Sequence, residues 1–74
     1  MSHSSDKLIR MAGQMADFFR SQPNQAPAKA VAEHINAFWS PRMRQDLADH
    51  IAAGAEADPI VRECIAFVRL PAGT

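Results

Sequence analysis

Phe38-Trp39-Ser40-Pro41-Arg42-Met43-Arg44 joins the end of one helix to the start of the next, and its reading decides the fold of this 74-residue chain. Ser40 suits the N-cap, because a serine oxygen accepts a hydrogen bond from a backbone N–H that the helix leaves orphaned. Pro41 suits the first helical position, where its missing N–H would be unpaired anyway. Downstream, Met43, Leu47 and Ile51 line up at i, i+4 and i+8, with His50 flanking them. That helix ends at Gly54, a residue that accepts the left-handed conformation. Asp58-Pro59 repeats the start signal, opening a helix to about Arg69, before Pro71. Val61, Cys64, Ile65 and Val68 form its inner stripe, and Ile60 and Phe67 sit together on a second flank. Upstream, Pro27 opens a helix to Phe38 with a stripe of Ala28, Val31, Ala32, Ile35 and Phe38, and Trp39 next to it. Gln22-Pro23-Asn24-Gln25 reads as the preceding loop.

The first helix is expected over about Asp6–Ser21, with Ser4 or Ser5 as N-cap. Asp6 and Arg20 match the helix dipole, and Asp6 and Arg10 form an i,i+4 pair. At 100° per residue Leu8, Met11, Ala12, Met15, Phe18 and Phe19 share one side, which Ile9 and Ala16 widen. This arc exceeds the ~100° stripe of a surface helix. The helix is therefore central in its own domain or touches something outside it. Nothing alternates with period two, so strands are not expected. The expectation is an all-α fold, a small bundle of about four short helices. It forms a single domain over 1–74, with an ordered core of about 6–69 between a polar N-terminal and a short C-terminal tail.

A chain this short buries only ~60–65% of the surface its unfolded form exposes. Apolar residues are 47% of the sequence, so it can fold. A single cysteine rules out an internal disulfide, so tight packing or a partner must supply further stability. Eight basic and eight acidic residues cancel, which disfavours nucleic acid as partner. No apolar run approaches the ~20 residues that span a bilayer. The polar start, Met1 to Asp6, lacks a signal-peptide core, and a cytoplasmic setting is expected.

Candidate chemistry is sparse. His34, His50 and Cys64 fall on three helices without zinc spacing, and no metal site is expected. Cys64 shares the inner stripe with Val61 and Val68, where it acts as a small apolar residue rather than a nucleophile. Gly13, Gly54 and Gly73 are isolated and form no phosphate loop. Asp46 and Asp49 read as a solvated helix face. No catalytic residue is assigned.

Arg42 and Arg44 break a local rule, because cations in a first helical turn oppose the dipole and forfeit ~0.3–1 kcal/mol each. A rule broken without local gain points to function elsewhere. Trp and Arg are the types enriched at binding hot spots, and Met at interfaces. The candidate partner-binding residues are Trp39, Pro41, Arg42, Met43 and Arg44, with Phe18 and His50. Trp39 has a second reading, as the cap of the core between the second and third helices.

These residues carry a resemblance. Leu8-Ile9-Arg10-Met11-Ala12 with Phe18-Phe19, then Phe38 to Arg44, then Leu47, His50, Gly54 and Pro59-Ile60-Val61, resemble the delta subunit of bacterial NAD-dependent, molybdenum-containing formate dehydrogenases. The likeness covers roughly residues 6–69 and departs at Ala55, where a second glycine would follow Gly54. It implies a non-catalytic accessory subunit that binds no cofactor and stabilises or helps assemble a soluble complex. Larger subunits would carry molybdopterin, iron–sulfur clusters and flavin, and the molybdenum-containing catalytic subunit would be the partner. A transient maturation factor for molybdenum cofactor insertion is the alternative. A small DNA-binding module is a third reading, with Arg42 and Arg44 opening a recognition helix.

Overall fold

A computed structural model describes residues 3–22 and 26–70. Four α-helices follow one another: α1 (His3–Arg20), α2 (Pro27–Phe38), α3 (Pro41–Ala52) and α4 (Pro59–Cys64), with a 3₁₀ turn at Ile65–Phe67. No strand occurs among the described residues, and the all-α expectation holds. Of the loop expected at 22–25, positions 23–25 lie outside the described residues, as do Pro71 and the C-terminal tail.

The local start and stop signals act as their chemistry dictates. Ser40 Oγ accepts from the Met43 N–H at 3.2 Å and caps α3. Asp58 Oδ1 accepts from the Ile60 N–H at 2.8 Å and caps α4. Gly54, at φ 98, ends α3. Its N–H bonds to the Ile51 carbonyl at 3.0 Å and the Ala55 N–H to that of His50 at 3.2 Å. These two bonds make a Schellman closure, which needs a left-handed residue only at position 54. Ala55 is therefore accommodated without a second glycine.

Helix α1 begins three residues before the expected Asp6, so Ser4 and Ser5 lie inside it instead of capping it. The first turn needs no i−4 acceptors, and serine costs little helix propensity there. Asp6 does not pair with Arg10; its Oδ1 lies 3.6 Å from His50 Nε2 of α3. Helix α4 is shorter than expected and stops at Cys64. The cause is Asn36 of α2. Its side-chain amide donates to the Phe67 carbonyl at 3.2 Å and accepts from the Arg69 N–H at 2.9 Å. Those two bonds hold the segment after the 3₁₀ turn in an extended path across α2. The shared Ile60–Phe67 flank is lost with the helix: Ile60 packs against the core, while Phe67 is exposed.

Helix α1 packs against all three other helices, and α2 against α4. Ala12 and Ala16 are fully buried, which lets α1 sit close to its neighbours. Ile35, Leu47, Val31, Val61 and Cys64 fill the centre. Opposite the cap on α4, Asp58 also accepts a hydrogen bond from Arg20, which reaches Asp17 at 3.1 Å as well. One carboxylate thus starts α4 and ties it to the end of α1.

Candidate functional site

The α2–α3 corner moves Phe38 outward relative to the sequence reading and agrees with the core-cap reading of Trp39. Phe38, expected on the inner stripe, is 75% exposed, and Trp39 is 7% exposed. Trp39 has extended backbone angles, φ −90 and ψ 143, so the helical register ends before it. The turn of the chain sends the indole back into the core cluster and leaves Phe38 outside, against His34 with ring centroids 4.7 Å apart.

The two arginines of the same segment part company. Arg42 is exposed at the start of α3. Arg44 turns inward, and its guanidinium donates to the Asn36 carbonyl at 3.2 Å. That carbonyl belongs to the last turn of α2, where helix C=O groups lack intrahelical partners and the dipole end is negative. The charge opposing the start of α3 thus serves the end of α2. Arg44 has an internal partner, whereas Arg42 is in no ion pair among the described residues.

Two open grooves border α1. The first, about 450 Å³, is walled by Met11, Met15, Phe18 and Phe19 of α1, with His34 and Trp39 opposite. The second, about 400 Å³, lies between Lys7, Leu8 and Met11 of α1 and Arg42, Met43 and Asp46 of α3. Met11 belongs to both, so the grooves adjoin. The wide apolar arc of α1 is thereby explained twice over: one part fills the core, and the other remains as a groove wall. Phe18 is 60% exposed, its ring edge-on to Phe19 at 5.2 Å.

Of the candidate residues, Phe18 and Trp39 meet in the first groove, and Arg42 and Met43 in the second. Pro41 is exposed at the first position of α3. His50 lines neither groove and instead faces Asp6. Lys7, Met11, Met15 and His34 were not singled out as site residues, although the breadth of the apolar arc on α1 is the signal that could have found the two methionines.

The site holds little reactive chemistry. Cys64 is fully buried, and burial pushes its thiol up to about 11, so it stays neutral at ordinary pH. Among the described residues no three His, Cys, Asp or Glu side chains are grouped to hold a metal ion. No helix among them is long and apolar enough to cross a membrane. The arrangement suits contact with another polypeptide.

A sequence model of the NADH-dependent formate dehydrogenase delta subunit family, FdsD, matches residues 7–65. No curated protein and no solved structure matches the chain. The matched span runs from Lys7 in α1 to just past the end of α4 and includes every residue that lines the two grooves. The chain belongs to the family of NADH-dependent formate dehydrogenase delta subunits.

Proposed function

We propose that this delta subunit is a non-catalytic accessory chain that binds the molybdenum-containing catalytic subunit of a formate dehydrogenase and stabilises or helps assemble the complex. One observation carries the reading: Phe18 stands 60% exposed on the wall of an apolar groove, in a chain short of core. Fully burying such a side chain is worth ~1.5–3 kcal/mol, and with 60% of it exposed the chain alone leaves about 1–2 kcal/mol for a covering partner to recover. Family membership supplies the other subunits as partners. The choice of the catalytic subunit rests on the resemblance of the Phe38–Arg44 segment. A non-catalytic role is supported by the one thiol, Cys64, being buried and neutral.

The test is affinity purification of a tagged chain from cells that make the whole complex. The larger subunits should be recovered in stoichiometric amount with active enzyme. Recovery of the chain alone overturns the proposal. Recovery only with subunits that lack the molybdenum cofactor identifies a transient maturation factor instead.

A further inference from the structure

We propose that the two grooves together receive one amphipathic helix of a larger subunit, about three turns long, with an apolar ridge over Phe18, Met15 and Met11 and an acidic end over Lys7 and Arg42. This rests on the accessory-subunit reading and specifies the partner surface it requires.

Continuity comes first. Met11 walls both grooves, so the face runs along α1 from Phe18 to Lys7. Eleven residues of helix rise span about 16 Å, which equals about three turns of a helix laid alongside. The mode of docking comes next. Among the described residues there is no strand whose edge could accept an added strand. Helix-in-groove recognition, with anchors at i, i+3 or i+4 and i+7, is the mode that a helical groove offers. Methionine walls suit it, because an unbranched thioether adapts to the ridge it meets.

Charge fixes the direction. No Asp, Glu, Lys or Arg lines the Phe18 end. The other end carries Lys7 and Arg42 against one carboxylate, Asp46, a surplus of one positive charge. Neither Lys7 nor Arg42 is in an ion pair among the described residues. A carboxylate arriving there gains a cationic partner without breaking an internal pair, whereas the Phe18 end offers it only the Gln14 amide and the His34 ring.

The experiment titrates wild-type and variant chains onto the larger subunits purified without the delta chain, after circular dichroism confirms that each variant folds. Phe18→Asp should weaken binding at least a hundredfold. Lys7→Glu with Arg42→Glu should weaken it at least tenfold at physiological salt, and the gap to wild type should shrink in high salt. Lys29→Glu, at an exposed position of α2 outside both grooves, should stay within twofold. A photo-crosslinker at Met15 should label a helical segment of the larger subunits that contains a carboxylate. Tight wild-type binding with the groove variants within twofold of it overturns this inference and leaves the accessory-subunit reading standing. Failure of the wild-type chain to bind overturns both. A dimer of the free chain that Phe18→Asp dissociates, with subunit binding unchanged, assigns the face to a second copy and also overturns it.

Discussion

Replacing Trp39 with alanine removes the side chain that closes the α2–α3 corner. Trp39 is 7% exposed and belongs to the core cluster with Ile35 and Leu47. A buried aromatic of this size withdraws roughly 200 Å² from water. At ~25 cal/mol per Å² that is ~5 kcal/mol, an upper value because unfolded chains already hide some of this surface. Large-to-small replacements of buried tryptophan cost ~3–5 kcal/mol, which agrees. A chain of this length has ~4–11 kcal/mol of total stability, so the variant loses a large share of it. In a domain of this size each kcal/mol moves the melting midpoint by ~4–8 °C, and the expected drop exceeds about 12 °C. Arg42→Ala, at an exposed position, should move stability by less than about 0.5 kcal/mol. Far-UV circular dichroism during heating and urea titration is the suitable assay, because the variant lacks the tryptophan fluorophore. A Trp39→Ala midpoint within a few degrees of wild type would refute the assignment of the indole to the core.

Asp58→Ala should cost about 1–2 kcal/mol in urea melts, from a lost N-cap and a lost surface ion pair, whereas Asp58→Asn should keep most of the cap. The hydrogen bond from Arg20, then that from the Ile60 N–H, holds the Asp58 carboxyl below the usual carboxylate range. A carboxylate lowered by folding stabilises above its unfolded pKa of ~3.9, and the gain disappears as pH falls through the lower folded value. Wild type should therefore lose its advantage over Asp58→Asn as pH drops below about 4, and an advantage constant with pH rules the pair out. The glycines should respond with opposite signs in thermal melts. Gly13→Ala, where a Cβ meets nothing within 4 Å, should stabilise by ~0.5–1 kcal/mol. Gly54→Ala, at φ 98, should destabilise by ~1–2 kcal/mol. Equal effects would contradict the helix-interior and left-handed assignments.

The helix starts at Ser40-Pro41 and Asp58-Pro59 and the stop at Gly54 were legible because each is made by residues within five positions of one another. The width of the apolar arc on α1 was legible too, and it announced the grooves. What the sequence concealed depends on distant partners. Nothing near Arg44 says that its guanidinium closes α2, since the Asn36 carbonyl comes within reach only after the corner turns. Trp39 as core cap was one of its two readings, but the exposure of Phe38 was not foreseen, because periodicity does not register a residue leaving helical geometry. The early end of α4 is imposed by Asn36, 31 and 33 positions before the groups it binds. An asparagine in the last turn of α2, a modest helix former, was the one available hint.

Asn36 has three attachments: its carbonyl accepts from Arg44, and its amide engages Phe67 and Arg69. The α2–α3 corner and the Phe67–Arg69 segment are therefore joined through a single residue. Drawing Arg44 away from α2 loosens the last helical turn and slackens the grip on the segment beyond it. The amide proton of Arg69 thus becomes a remote gauge, with its exchange with solvent quickening when the arginine lets go.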